Sequence, residues 1–145
     1  MGLGSRAARA LLVLVGAASI GVVVAAGQAA QRTVRDRVYT KEQAVRGGKQ
    51  YAAICASCHD PTKVPAGKRP APPVVGERFL VKWQDRTLGE FSTIIQTTMP
   101  NDGSVVLSDN ETADVVAYLL QANGFPDGPS PLQLGATSKD IVIVK

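Results

Sequence analysis

The sequence predicts an all-α fold, a small domain in which three main helices are joined by long loops. Three stretches each begin with a capping box, in which Ser or Thr precedes Glu or Gln by three residues. Apolar residues at helical spacing follow in each stretch. The length of 145 residues, with 45% hydrophobic and 19% charged residues, fits one globular domain and excludes a disordered chain.

The capping boxes also locate the predicted helices. Counted from the capping residue to about the last helical residue, the predicted ranges are Thr40–Ile54, Thr87–Thr98 and Ser108–Ala122. Asn123 and Gly124 follow the third range and form a favourable C-cap pair. The sequence therefore predicts both ends of the third helix.

Two long segments lie outside these helices. Residues 60–86 contain five prolines, which are Pro61, Pro65, Pro70, Pro72 and Pro73. A segment this long inside a compact domain indicates that it encloses something. Residues 126–145 carry three prolines and two glycines before a short apolar run, and we expect them to form an extended C-terminal tail over the domain.

The first 30 residues are expected to be a targeting segment and not part of the fold. Arg6 and Arg9 precede an apolar run from Ala10 to Gly27, which is typical of a secretory signal peptide. The run has 18 residues, just long enough to span a membrane, so an uncleaved N-terminal anchor is the alternative. In both cases the rest of the chain is exported, which predicts a periplasmic location.

These observations predict a four-part organisation. Residues 1–30 form the signal peptide or membrane anchor, 31–39 a linker, 40–125 the folded domain and 126–145 the extended tail.

The chemistry is concentrated in the segment Cys55-Ala-Ser-Cys58-His59, which holds both cysteines and the single histidine of the chain. Two thiols at this spacing project from nearly the same side of a helical turn. Each can add across one vinyl group of haem b, and the adjoining imidazole can then reach the iron. C-x-x-C-H is the attachment signal for c-type haem. It predicts one covalent haem c, with thioether bonds to Cys55 and Cys58 and with His59 as an axial iron ligand.

Other interpretations of this segment fit less well. A thioredoxin-like dithiol would require a strand before the motif, whereas a predicted helix precedes it. Two cysteines and one histidine are too few for a structural zinc site with four ligands. A haem-free Cys-x-x-Cys redox protein nevertheless stays an alternative.

Met99 is the candidate for the sixth iron ligand. The only other methionine is Met1, which lies in the targeting segment. Met99 follows the second predicted helix and precedes a turn-rich segment, which can project its thioether into a pocket. The alternative is that Met99 packs beside an open iron, as in a haem-based gas sensor or enzyme.

A bound haem also accounts for two features of the sequence. The chain has only seven aromatic residues, and the haem supplies a large, flat, apolar body for the core. It also gives the proline-rich segment something to enclose.

With these residues in place, the stretch from about Thr40 to Phe125 resembles the class I c-type cytochromes, the monohaem, His/Met-ligated electron-transfer type. Gly47 and Tyr51 match the glycine and aromatic of the family's N-terminal helix. Tyr118 matches the aromatic of its C-terminal helix, which crosses the N-terminal helix at that glycine. Nothing in the sequence accounts for the neighbouring Gly48.

The resemblance also implies further contacts with the cofactor. Residues 71–76 are similar to the family segment on the histidine side of the haem. The resemblance implies that the Pro72 carbonyl accepts the ring N–H of His59, and that Tyr51 and Tyr118 belong to the cofactor-binding set. Asp60 stands where many relatives have glycine.

A haem iron with His and Met ligands has no open position, so we expect reversible one-electron transfer and not enzymatic catalysis. The expected partners are redox proteins that act as electron donor and acceptor in a respiratory chain. The chain is then either a shuttle or the cytochrome subunit of a dehydrogenase or oxidase. No nucleic-acid partner is expected. Membrane contact is expected only if the N-terminal segment stays uncleaved.

The charges are unevenly distributed along the chain. The net charge of +4 falls to +2 if Arg6 and Arg9 are removed with the N-terminal segment. Residues 63–86 contain six basic residues, Lys63, Lys68, Arg69, Arg78, Lys82 and Arg86, against two acids. Residues 87–138 contain six acids and no lysine or arginine. This asymmetry predicts electrostatic steering towards an acidic partner, with an ordinary solvated surface as the alternative.

Overall fold

The computed structural model describes residues 30–60 and 71–145. The predicted signal or anchor run and the part of the proline-rich segment at 61–70 lie outside the described residues. In chain order the helical elements are α1 (Lys41–Gln50), a π-helical turn (Tyr51–Cys55), α2 (Ala56–His59), α3 (Glu77–Trp83), α4 (Leu88–Thr98) and α5 (Asp109–Ala122). The described residues contain two isolated β-bridges and no longer strand, so the all-α prediction is confirmed.

All three predicted capping boxes are present. In each, the Ser or Thr hydroxyl accepts from a backbone N–H three residues on, and the Gln or Glu side chain there accepts from the capping residue's N–H. The ends of α4 and α5 agree with the prediction. Gly124 follows α5 with φ +81°, a left-handed conformation that glycine adopts without strain.

The first helical stretch is longer than predicted. It continues past Ile54 because the π-helical turn joins α1 to α2, and it ends at His59. The Ala56 N–H donates to the carbonyl of Tyr51, five residues earlier. A single π-helical turn inserts one extra residue into a helix and is frequent at functional sites. Here it lies directly before the Cys-x-x-Cys-His segment.

The packing of α1 against α5 depends on Gly47. A Cβ atom added there would lie 1.8 Å from the carbonyl oxygen of Asp114, so only glycine permits this backbone approach. Arg46 reinforces the crossing with two hydrogen bonds to the Asp114 carboxylate, of 2.6 and 2.7 Å. Gly48 packs against the Tyr118 ring, since an added Cβ would lie 3.2 Å from the ring. The second glycine of the pair therefore lies in a tight contact with a movable ring and not with backbone.

The helix α3 was not predicted, because residues 60–86 were expected to be one loop. It begins after Gly76, whose φ of +82° turns the chain out of the proline-rich segment. Phe79 and Trp83 lie four residues apart on its buried face and meet Phe91 of α4 in edge-on ring contacts. These three rings supply a large part of the core, which explains why the helix forms without a Ser or Thr cap.

Residues 31–39 do not behave as the predicted linker. Val34, Val38 and Tyr39 are buried in the hydrophobic core. The Tyr39 hydroxyl donates to the Phe125 carbonyl at 2.6 Å, and the Tyr39 carbonyl accepts from the Gly128 N–H at 2.7 Å. This segment is part of the folded domain because its apolar side chains and its backbone both find partners there.

The C-terminal tail packs on the rest of the domain through Val142 and its neighbours. Val142 forms a parallel bridge to Thr33 and an antiparallel bridge to Thr87, so it joins the N-terminal segment to the start of α4. Ile141 and Ile143 on either side of it are buried. The tail is therefore held by both backbone hydrogen bonds and apolar packing.

No helix within the described ranges combines the length and the apolar character that a membrane crossing requires.

Candidate haem site

The two cysteines lie at the end of the first helical stretch. Cys55 closes the π-helical turn and is half-buried, whereas Cys58 is exposed in α2. Both thiols are free. The two side chains therefore stand one helical turn apart and are available for covalent attachment.

The thiol chemistry argues against a haem-free redox dithiol. Burial raises the pKa of the Cys55 thiol above its usual value, and the nearby Cys58 adds to the shift. In a reactive dithiol the attacking thiol has a lowered pKa, so the half-buried Cys55 does not suit that role. The motif also follows a helix and not a strand, which differs from a thioredoxin-like setting.

Among the described residues, Pro72 is the hydrogen-bond partner of the His59 ring, and it binds the nitrogen that would not hold a metal. Its Nδ1 lies 2.9 Å from the carbonyl oxygen of Pro72. A carbonyl oxygen can only accept, so Nδ1 carries the proton and Nε2 keeps its lone pair. This is the tautomer that a histidine iron ligand requires, and the contact with Pro72 is the one that the resemblance implies.

Met99 stands where the chain leaves α4. It is the C-cap residue with extended backbone angles, φ −126° and ψ 135°, and its N–H donates to the Ile95 carbonyl. The side chain is half-buried, so it is not ordinary core filler. Pro100 follows in a cis peptide bond, and its carbonyl accepts from the Gly103 N–H to form a turn. The methionine is therefore presented by a capped helix end and a turn.

Tyr51 and Tyr118 are brought together where α1 and α5 cross. Their ring centroids are 5.0 Å apart with an interplanar angle of 42°. Burial, with smaller effects from Tyr118, Cys55 and Asp60, raises the pKa of Tyr51 to about 12. Tyr51 therefore keeps its proton at any physiological pH. The haem contact of these two side chains stays a prediction.

The residues present fit a c-type haem. The structure provides two free thiols, an imidazole with an unused Nε2, and a thioether at a helix end. Sequence reasoning missed Asn123, which it took only for a helix C-cap. Its side chain also binds Val74 and Gly76, which are about 50 positions away in sequence, so no local pattern predicts these contacts.

Comparison with known proteins assigns a large part of the chain to a family. A family model described as cytochrome c oxidase, cbb3-type, subunit III matches residues 42–119, which is more than half of the chain. The match spans the Cys-x-x-Cys-His segment, α3, α4 with Met99, and most of α5. A search of the curated proteins found no match, and a search of the solved structures found none either.

Proposed function

Because the chain belongs to the family of the cbb3-type cytochrome c oxidase subunit III domain, a class I monohaem c-type cytochrome domain, we propose that it carries single electrons between redox proteins. A domain of this family binds haem c covalently, and the family typically transfers electrons. When bound, the haem supplies an iron that alternates between the ferrous and ferric states.

The contact between His59 and Pro72 is the observation that most supports this function. It selects the ring tautomer with a free Nε2 and fixes the ring plane at the end of α2. In our proposal Cys55 and Cys58 would form the two thioether bonds and His59 would hold the iron. Each of these side chains belongs to the same helical stretch, so one rigid element holds all three.

Met99 completes the proposed ligand set. A thioether ligand raises the reduction potential relative to two nitrogen ligands, because sulfur stabilises ferrous iron. If His59 and Met99 both hold the iron, it would have no place for a substrate, so we propose an electron carrier and not an enzyme. A gas sensor or an enzyme would require Met99 to stay off the iron.

We further propose that the domain works in the periplasm. The apolar run at residues 10–27 supports export, and the basic Arg6 and Arg9 precede it. Both candidate cleavage positions, after Gly27 or after Ala29, leave the packed segment from Val34 to Tyr39 in the mature protein. If the run is not cleaved, it anchors the domain to the membrane with very few residues between them.

The proposed partners are an electron donor and an electron acceptor, both of them redox proteins. The family membership supports two settings equally, a shuttle between larger complexes and a cytochrome subunit within a dehydrogenase or oxidase.

Carbon monoxide binding to the reduced protein tests the electron-carrier proposal. The visible spectrum of the ferrous holoprotein is expected to stay the same when carbon monoxide is added, because Met99 would hold the iron where carbon monoxide binds. Met99→Ala is expected to bind carbon monoxide readily. Val106→Ala is the control, since Val106 is 85% exposed in the loop that follows Met99. Ready binding by the unaltered protein would support the sensor or enzyme alternative instead.

A further inference from the structure

Asn123, directly after α5, uses both N–H groups and the oxygen of its side-chain amide in hydrogen bonds. Nδ2 donates to the Leu119 carbonyl at 2.7 Å and to the Val74 carbonyl at 3.0 Å. Oδ1 accepts from the Gly76 N–H at 2.9 Å. Only one orientation of the amide satisfies two carbonyls and one N–H, so the assignment of its oxygen and nitrogen is unambiguous. The side chain thus ties the end of α5 to residues 74–76.

The same segment carries the hydrogen-bond acceptor of His59. Pro72 lies between two attachments, since the Ala71 N–H donates to the Cys58 carbonyl at 3.1 Å on one side and Asn123 binds Val74 and Gly76 on the other. Pro72 and Pro73 have no N–H of their own to donate. Asn123 therefore supplies the side-chain hydrogen bonds that hold the exposed prolines in place from the C-terminal side.

We propose that Asn123 is a positioning residue for the iron ligand His59. By holding Val74 and Gly76, it keeps the Pro72 carbonyl at hydrogen-bond distance from His59 Nδ1 and so tunes the reduction potential. This inference rests on the proposed role of His59 as an iron ligand. A carbonyl that accepts the ring N–H makes the imidazole a stronger donor and favours ferric iron. A looser contact is therefore expected to raise the potential.

A purely structural role for Asn123 makes a different prediction. Capping of α5 requires only the bond to Leu119, within the same helix. Loss of that bond lowers the stability of the domain and leaves the His59 contact unchanged. The reduction potential and the solvent-exchange rate of the His59 Nδ1–H therefore distinguish the positioning role from the structural one.

The test uses the holoprotein with Asn123→Ala. The backbone angles at this position, φ −91° and ψ 7°, suit alanine as well as asparagine, so the change removes the amide without strain. We expect a higher reduction potential. We also expect solvent exchange of the His59 Nδ1–H, followed by NMR, to become about tenfold faster, which corresponds to about 1.4 kcal/mol.

Two control variants are expected to keep the reduction potential and the exchange rate of the His59 Nδ1–H at their original values. Gln121→Ala removes an exposed amide two residues away on the same helix. Ser108→Ala removes the N-cap of α5 and lowers the stability of the domain, but it leaves the Asn123 contacts in place. If Asn123→Ala behaves like Ser108→Ala, with unchanged potential and unchanged exchange, the inference is wrong.

If Asn123→Ala does not accumulate, a measurement on the unaltered holoprotein tests whether Asn123 positions His59. Hydrogen exchange of the Gly76 N–H and of the His59 Nδ1–H is followed in increasing denaturant. A shared opening event, with equal denaturant dependence, is expected if Asn123 couples the two sites. Independent opening overturns the inference. Absence of hyperfine-shifted His59 ring signals in the oxidised protein would instead refute the proposed ligation, and the inference with it.

Discussion

At the scale of single residues, two adjacent glycines have different functions. Gly47 allows α1 and α5 to meet backbone to backbone, because an added Cβ would overlap the Asp114 carbonyl. Gly48 faces the Tyr118 ring at a distance that a small movement of the ring can relieve. The resemblance to the cytochromes predicted the first contact. It did not predict the second, since a glycine in a helix shows nothing of the neighbour that packs on it.

The distances from the added Cβ atoms to their neighbours predict different losses of stability for the two alanine variants. Gly47→Ala is expected to lower the free energy of unfolding by about 3 kcal/mol, the upper end of typical overpacking costs, because backbone must move. Gly48→Ala is expected to stay within about 1 kcal/mol of the original protein, since the gain in helix propensity offsets the tighter ring contact. Denaturant unfolding of the two holoproteins measures the difference. Equal losses would contradict the close backbone crossing.

The residues of the site were predictable to different degrees. Cys55, Cys58 and His59 follow from a local motif, because covalent attachment constrains their spacing in sequence. Asn123 acts on residues far away in sequence, so no local pattern reveals it.

At the scale of elements, the three capping boxes correctly predict where α1, α4 and α5 begin. Each one uses hydrogen bonds between residues three positions apart, so the sequence contains the whole interaction. The helix α3 and the packed segment 31–39 were missed for the opposite reason. Their stability comes from apolar side chains that meet distant elements, as when Phe79 and Trp83 meet Phe91.

Two of the capping boxes are predicted to make the free energy of unfolding depend on pH in the acidic range. Hydrogen bonds from Thr87, then from Arg86, hold the pKa of Glu90 below its usual 4.5. The Ser108 hydroxyl and then its backbone N–H do the same for Glu111. A carboxylate with a lower pKa in the folded state stabilises the fold above its unfolded pKa and loses this effect as pH falls through the folded pKa.

The double variant Glu90→Gln with Glu111→Gln tests this dependence, because glutamine can also complete a capping box. Between about pH 5 and pH 3, its free energy of unfolding is expected to fall less steeply than that of the original protein. Denaturant titrations across this range measure both slopes. Identical slopes would show that the two carboxylates contribute nothing to acid unfolding.

At the scale of the whole molecule, the charges are less separated than the sequence suggests. Within the described part of the chain, two of the six acids between residues 87 and 138 pair with arginines outside that stretch. Asp114 binds Arg46, and Glu90 lies 3.3 Å from Arg86. Arg86 also lies over the Trp83 ring at 4.6 Å. Arg78 and Lys82 are exposed and form no ion pair with a described residue, so they stay available for steering, although Lys82 Nζ lies 5.9 Å from the centre of the Trp83 ring.

This distribution predicts that association with a redox partner slows as the salt concentration rises. Lys82→Glu is expected to reduce the association rate at low ionic strength with little change in reduction potential. Lys139→Glu is the control, because Lys139 is an exposed lysine in the tail, outside the basic stretch. Stopped-flow electron transfer measures both rates. A rate that does not change up to physiological salt, where the screening length is about 8 Å, would indicate apolar docking instead.

The near-infrared spectrum of the oxidised holoprotein tests the central claim, an iron ligated by His59 and Met99, most directly. A methionine sulfur bound to ferric haem gives a weak charge-transfer band in this region. We predict that the unaltered protein shows this band and that Met99→Ala lacks it. An oxidised protein without the band would contradict the account, because Met99 is the only methionine outside the predicted targeting segment.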